Sequence, residues 1–204
     1  MLFAAKSAGR VCKDIRASLG RASLGRAMPP ARLTGTVLGG VALCGVALAA
    51  QDKYTLQIPD GLAWSDFRGY EDWQNVAVSQ TQSSLKVIAA NDVMMKAFRD
   101  GLPATGKLFP DGSKVTKIEW SFKKNEASPY FVSVPDTLKT VAFIEKDTAR
   151  FPNTHGWAYA QWAYDPATDT FKPAPLDQSG AECGFACHTR VAAQDYIFTA
   201  YPKR

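Results

Sequence analysis

The run Cys183-Gly-Phe-Ala-Cys187-His188 near the C-terminal end constrains this chain more than any other feature of its sequence. Two thiols and an imidazole within six residues are the groups that attach a haem covalently. In the usual c-type signature, Cys-x-x-Cys-His, each thiol adds to a haem vinyl group and the adjacent histidine becomes the proximal ligand of the iron. The run therefore predicts one haem c per chain, anchored by Cys183 and Cys187, with His188 as the iron ligand.

The spacer in this run has three residues instead of two, so other structures must be weighed. Cys183 and Cys187 could form a disulfide across a small loop. A zinc site would need a fourth ligand, and the only other histidine in the chain is His155. A disulfide gives no reason for the adjacent histidine, so the run favours haem attachment. The extra residue then requires either a bulge, which Gly184 could accommodate through backbone angles closed to other residues, or a single thioether bond.

Residues 1–50 have the pattern of an export signal. A basic region precedes the uncharged apolar stretch 33–50, and residues 47–49 offer the small side chains of a cleavage site. We expect export to the periplasm with cleavage near Ala49 or Ala50. An uncleaved stretch would instead anchor the protein in the membrane. Met28 is a candidate for the true start, because it would shorten an unusually long basic region.

Removal of this leader changes the composition of the remaining chain. Seven of the 24 basic residues and one of the 19 acidic residues lie in 1–50, so residues 51–204 carry a formal charge near −1. This balance predicts no nucleic-acid partner. Cleavage would also remove Cys12 and Cys44, leaving the two cysteines of the haem run. That count again favours haem attachment, which takes place in an oxidising compartment.

Residues 51–204 contain no linker or repeat and are expected to form a single domain. Helical patterns cover 62–73, where aromatic side chains recur every three residues as candidate core, and 93–100, which Asn91 can cap. Five segments with strand composition lie between turn signals: 85–90, 114–122, 140–145, 157–164 and 195–201. The predicted fold class is α+β, with a mainly antiparallel β-sheet and a few helices.

The sequence shows no evident ligand for the second axial position of the iron. Met94 and Met95 lie in the predicted helix 93–100 and are expected to be packing residues. His155 lies in a turn-like segment and is expected in a surface loop. An iron that is open on one side binds or transforms small molecules, whereas an electron-transfer cytochrome, the less favoured alternative, would need a sixth ligand.

Several motifs, in order and separation, resemble those of the cytochrome P-460 family, which includes the β-sheet cytochromes c′. They cover most of residues 54–204: an aromatic opening at 70–73, a turn at 109–113, the segment 146–151, Trp157-Ala-Tyr159, and the haem run leading into 195–199. The resemblance implies an antiparallel β domain with a five-coordinate c-type haem that either oxidises hydroxylamine or binds nitric oxide. It also implies a redox acceptor, such as another cytochrome, for the oxidative activity, and a homodimer as the common assembly.

The resemblance also assigns residues beside the haem. In the family's hydroxylamine oxidisers a lysine six residues beyond the aspartate of the turn is joined to the porphyrin edge, and that position is Lys117 here. A distal arginine of those enzymes falls at Lys86, which keeps the charge but lacks the planar fork. Strand alternation puts Lys117 and Glu119 on one face. That face is either solvated or directed at the haem cavity, where Glu119 could take protons from hydroxylamine.

Overall fold

Six antiparallel strands form one sheet in the computed structural model of this chain, in the order β1-β2-β3-β4-β5-β6. The structure describes residues 50–174 and 181–204, all of which belong to one compact unit. Apart from Ala50, the predicted leader lies outside the described residues. The described strands and α-helices are β1 (Gln74–Gln80), β2 (Leu85–Ala90), α1 (Asp92–Arg99), β3 (Lys114–Lys124), β4 (Ser133–Lys146), β5 (Trp157–Asp165), β6 (Thr170–Pro173) and α2 (Ala181–His188). The predicted α+β class with a mainly antiparallel sheet is confirmed.

One surface of the sheet, which we call the aromatic face, is covered by the segment that precedes β1. Rings from this segment pack on rings of β4 and β5, so that Trp64 stands 5.0 Å from Trp162 and Phe67 stacks 4.2 Å from Phe143 between ring centroids. All four side chains are fully buried. The predicted role of the aromatic stripe as core is therefore confirmed.

The opposite surface, which we call the cavity face, lies under α1, α2 and the C-terminal segment. Its core includes Val115 of β3 and Tyr159 of β5, together with Phe98 of α1 and Ile197 near the C-terminal end. Directly opposed residues of antiparallel strands share a face. Lys117 pairs with Ile88 on β2 and with Ala142 on β4, so these residues also belong to the cavity face.

Helix α1 agrees with the sequence prediction. The side chain of Asn91 accepts a hydrogen bond from the backbone N–H of Met94 at 3.1 Å, which caps the first turn. Met94 and Met95 are completely buried in the core of the cavity face, so their predicted packing role is confirmed. Within the described residues, no helix has the length and apolar character needed to span a membrane.

The predicted helix over 62–73 is not a continuous helix. The segment forms two short 3-10 helices, Trp64–Phe67 and Tyr70–Asp72. Gly69 separates them with a left-handed backbone (φ 79°), which an α-helix does not allow. The spacing of three between aromatic residues correctly places their rings on one side, because it is also the repeat of a 3-10 helix.

The predicted strand over 195–201 is wrong. Residues Thr189–Gln194 form a 3-10 helix that is kinked at Val191, and the residues that follow it join no sheet. Asp195 and Tyr196 both have left-handed backbones, with φ of 48° and 63°, which breaks the pleat of a strand. The other four strand predictions are confirmed, three of them with extended bounds. The sequence missed β1 and β6, because the first is a largely exposed edge strand and the second has only four residues.

Candidate functional site

A cavity opens on the cavity face between strands β2–β5 and the C-terminal segment that includes α2. It contains about 850 Å³ of open space, counting the part that is continuous with solvent. Apolar side chains supply much of the wall: Ile88, Phe98, Val115, Ile144 and Ile197. Two of the predicted site residues, Lys117 and His188, line this same cavity from β3 and from α2.

His188 is the last residue of α2, and its ring is oriented by a backbone group. Its Nδ1 lies 2.6 Å from the carbonyl oxygen of Tyr196. A carbonyl can only accept, so Nδ1 carries the proton and the neutral ring leaves Nε2 as the nitrogen able to bind a metal. Burial lowers the pKa of His188, the bond to Tyr196 raises it, and the charge of Lys117 lowers it further. The net lowering favours the neutral, ligating form of the ring.

Aromatic rings enclose His188 on two sides. The ring of Tyr159 lies 4.6 Å from the imidazole between centroids, and the ring of Phe198 lies at 4.9 Å. Tyr159 is 5% exposed, and burial is the main reason that its pKa is raised. Its hydroxyl has no hydrogen-bond partner among the described residues. Neither ring was predicted from the sequence to belong to the site, although both residues lie in segments that carry the family resemblance.

The two cysteines lie in α2 one turn apart. Residues four apart on a helix share a side, and each cysteine directly precedes a residue that lines the cavity, Gly184 in one case and His188 in the other. The thiols therefore flank the side of α2 that forms the cavity wall. Within the described residues they are not joined in a disulfide.

The helical path corrects the expected bulge. Helix α2 runs without interruption from Ala181 to His188, so the three-residue spacer is one ordinary helical turn. The two cysteines stay on one side of the helix without any irregularity in the chain.

Gly184 serves a purpose other than the predicted one. Its backbone lies outside the left-handed region, so the expected special angles are not used. A Cβ atom at this position would lie 2.3 Å from Cβ and 2.4 Å from Cγ of Tyr159. Glycine is needed here because α2 packs directly against β5, and this close packing brings His188 to the cavity wall.

Lys117 lies in the wall of the cavity, in the middle of the sheet. Of the two orientations that alternation left open, the structure has the lysine on the cavity side. Burial is the main cause that lowers its pKa; the charge of Lys86 lowers it further, while Glu119 raises it. The described residues provide no salt bridge to the Lys117 ammonium. A lysine in this environment loses its proton more readily than one in water.

Lys86 and Glu119 form a pair next to this lysine. They oppose each other across β2 and β3, and Lys86 Nζ lies 3.8 Å from Glu119 Oε2. By register they share the cavity face with Lys117, one pair further along the strands. They do not belong to the described lining of the cavity, so the structure places them beside it.

His155 does not belong to the described lining of the cavity that His188 lines. It is exposed, has a left-handed backbone with φ of 54°, and stacks on Tyr196 with 5.1 Å between ring centroids. The structure thus places it at a surface turn that follows the 3-10 helix Pro152–Thr154.

Fold and cavity together define an α+β protein with a candidate binding cavity on one face of an antiparallel sheet. The family model for cytochrome P460 matches residues 67–199, which include β1 to β6, α1 and α2. The match covers more than half of the 204 residues, and the chain belongs to the cytochrome P460 family. Membership implies a haem cofactor.

A second comparison covers a much smaller part of the chain. Over 66 residues the chain is 35% identical to an uncharacterized lipoprotein of Mycoplasma genitalium. The aligned stretch is 32% of this chain and 10% of that lipoprotein, so the chain spans only a small part of its length.

The residues at the cavity fit a haem. An imidazole with Nε2 available for a metal lies in a wall that is otherwise largely apolar, as a hydrophobic macrocycle requires. The two cysteines lie one turn apart on the helix that ends in this histidine. The donor set therefore suits a haem: His188 would bind its iron, and Cys183 and Cys187 would be placed to hold it.

Proposed function

We propose that this protein is a monohaem c-type cytochrome that oxidises hydroxylamine or a related small nitrogen compound. Cys183 and Cys187 would hold the haem through thioether bonds, and His188 would bind the iron. Haem supplies the redox chemistry of its iron when bound. The chain would supply the placement of the substrate, the exclusion of water and the movement of protons.

The observation that carries this proposal is that Lys117 and His188 line one apolar cavity. A lysine in an apolar wall costs stability, because the ammonium loses hydration there. Such a residue is more readily explained by function than by folding. Its lowered pKa increases the fraction of free amine, which is the nucleophilic form. Lys117 is accordingly the candidate for a covalent bond to the porphyrin edge. The new N–C bond would replace an N–H and a C–H bond, so its formation would also require a two-electron oxidant such as a peroxide.

Glu119 and Lys86 would serve the proton chemistry. Oxidation of hydroxylamine releases protons, and a carboxylate at the edge of the cavity can accept them. The ammonium of Lys86, 3.8 Å away, would hold that carboxylate in position. Lysine provides this charge without the two-pronged geometry of an arginine.

The apolar wall supports a second candidate function, the binding of nitric oxide without turnover. Ile88, Val115 and Ile144 give the cavity a character that suits a small, weakly polar ligand. In that case Lys117 would carry no bond to the haem, and Glu119 would have no proton to accept.

The absorption spectrum of the purified ferric protein, measured with hydroxylamine turnover, tests both functions. A strongly red-shifted Soret band that Lys117→Ala abolishes and Lys86→Ala retains would support the cross-linked oxidase. An ordinary high-spin spectrum without turnover would support the nitric oxide binder. A low-spin, six-coordinate spectrum would point to electron transfer and contradict both. Absence of covalent haem after expression with a maturation system would overturn the c-type assignment.

Export, a redox acceptor and a homodimer complete the proposal. An oxidase needs an acceptor for its electrons, and another cytochrome would serve. Fractionation of cells that express the full chain, followed by N-terminal sequencing of the product, tests periplasmic export with cleavage near Ala50 against an anchored form. Light scattering of the purified protein tests the dimer.

A further inference from the structure

We infer that Asp195, through a buried ion pair with Lys146, is a positioning residue for His188: it fixes the backbone carbonyl that orients the imidazole. This inference rests on the proposed role of His188 as the iron ligand. It adds a residue that touches neither the iron nor the substrate and acts through the chain segment beside the histidine.

The carboxylate of Asp195 is held from several directions. Lys146 Nζ donates to both of its oxygens, at 3.0 and 3.1 Å. The indole N–H of Trp157 donates to Oδ1 at 3.3 Å, and the backbone N–H of Phe109 donates to Oδ2 at 2.8 Å. The side chains of Lys146 and Asp195 are each only 2% exposed. These donors come from β4, from β5 and from the loop before β3, so the carboxylate joins the C-terminal segment to the body of the sheet.

The backbone at Asp195 shows what this anchoring does. Asp195 and Tyr196 are two consecutive residues in the left-handed region, which side chains other than glycine seldom adopt. Their N–H groups bond back to Ala192 and Val191, at 3.0 and 3.1 Å, and end the 3-10 helix. The Tyr196 carbonyl lies 2.6 Å from Nδ1 of His188. Such a backbone persists only where its surroundings hold it, and the four hydrogen bonds to the Asp195 carboxylate do so here.

The consequence for His188 follows from the chemistry of histidine ligands. A hydrogen bond from Nδ1–H to a firmly held acceptor fixes the tautomer and the ring orientation, and it makes Nε2 a stronger donor. A stronger donor stabilises the oxidised form of an iron centre more than the reduced form. Release of the Tyr196 carbonyl should therefore weaken the bond between His188 and the iron and favour reduction.

A purely structural role would predict a different result. Buried ion pairs contribute little to stability compared with apolar replacements, although removal of one partner destabilises the fold. Loss of stability therefore does not distinguish a tether from a positioning residue. The distinguishing readouts are the iron–histidine stretching frequency and the midpoint potential of the holoprotein.

The test compares wild type, Asp195→Asn and Trp157→Phe as purified holoproteins. The control is Lys114→Met, which breaks the nearby pair between Lys114 and Glu145 (3.1 Å) without touching the C-terminal segment. We expect Asp195→Asn to lower the iron–histidine stretching frequency in the ferrous protein. We also expect the ratio of reduced to oxidised haem to be about tenfold higher at the ambient potential that half-reduces wild type. Trp157→Phe removes one donor and should shift both readouts in the same direction by less, while Lys114→Met should leave them unchanged.

Each outcome decides a separate point. Unchanged frequency and potential in Asp195→Asn and Trp157→Phe, with the haem attached, would overturn the inference and leave the proposed function standing. If Asp195→Asn does not accumulate as folded protein, Trp157→Phe alone decides between the two results. A wild-type protein without covalent haem, or with an iron ligand other than His188, would overturn the proposed function and this inference together.

Discussion

The two faces of this sheet are built from the same strands but differ in packing: one is closed by aromatic rings, and the other leaves a cavity. On the aromatic face, the rings of Trp64, Phe67, Phe143 and Trp162 close on one another, and each is fully buried. Each close aromatic pair adds about 0.5–1.5 kcal/mol beyond the burial of its area. On the cavity face, the same strands turn Lys117 and Tyr159 towards a cavity that packing leaves open.

The difference shows how one sheet can separate stability from function. Alternation sends neighbouring residues of a strand to opposite faces, so β3 supplies Lys117 to one face and Ile118 to the other. The buried aromatic layer on one side helps to offset the cost of strained or poorly solvated groups on the other. Substitutions on the aromatic face should therefore alter folding alone, whereas those at the cavity should also alter chemistry.

The largest effect should follow from Trp162→Ala on the aromatic face. This side chain is fully buried and packs against Trp64 and Phe143, at 5.0 and 5.6 Å between ring centroids. Truncation of a buried tryptophan costs about 3–5 kcal/mol of the free energy of unfolding. Denaturant unfolding followed by circular dichroism measures the loss. The matched control is Tyr130→Ala, since Tyr130 is 78% exposed and its removal should change stability by less than about 0.5 kcal/mol. Equal losses in both variants would show that the aromatic layer does not carry the fold.

The second-largest effect should follow from Gly184→Ala, which should affect both stability and haem attachment. The new Cβ would lie 2.3 Å from Cβ of Tyr159, so α2 must move away from β5. Overpacking of this kind costs about 1–3 kcal/mol. It should also reduce the yield of covalent haem, because the haem run lies on α2. Haem staining of denatured protein measures the attachment, with Ala186→Ser on the exposed part of the same helix as the control. Full attachment in Gly184→Ala would mean that this close packing has no part in placing the run.

The sequence predicted these two faces unequally. The aromatic face was accessible, because a repeat of large rings followed by alternating strands predicts burial whether the first segment is an α-helix or a 3-10 helix. On the cavity face, the run that ends in His188 could be recognised from the sequence because its residues are contiguous. Tyr159 was not identified, because its role depends on the packing of α2, which only the fold brings to β5. The strand predicted over 195–201 failed for a related reason: Asp195 is buried against Lys146, and no local pattern encodes that contact.

Lys117→Met should test the character of the cavity face, because its effect on the free energy of unfolding should depend on pH. The methionine removes a poorly hydrated ammonium, so it should stabilise the protein at pH 7 by about 1 kcal/mol. The pKa of Lys117 in the folded protein lies below its ordinary value of 10.5. As the pH rises through that lowered pKa towards 10.5, the unfolded chain holds more protons than the folded one, and wild-type stability rises.

The advantage of Lys117→Met should therefore be largest below the lowered pKa and shrink as the pH rises towards 10.5. Denaturant unfolding of both proteins, in the same haem state, across this range measures the difference. Lys86→Met provides the control, because Lys86 has an ion-pair partner in Glu119. A difference that stays constant from pH 7 to 10.5 would contradict the poorly hydrated placement of Lys117.

The smallest effect should come from Tyr159→Phe, which leaves the ring of the cavity wall in place. The Tyr159 hydroxyl is buried and has no hydrogen-bond partner among the described residues. Removal of an unsatisfied hydroxyl relieves its cost of burial, so the variant should equal or exceed wild type in stability by up to about 1 kcal/mol. Thermal unfolding of the holoproteins measures the change, and Tyr164→Phe, which loses a bond of 2.8 Å to Asp169 at the surface, serves as the control. A clear loss of stability in Tyr159→Phe would mean that the bound haem or an ordered water forms a hydrogen bond with this hydroxyl. The hydroxyl would then contribute to the stability of the cavity face only when that partner is bound.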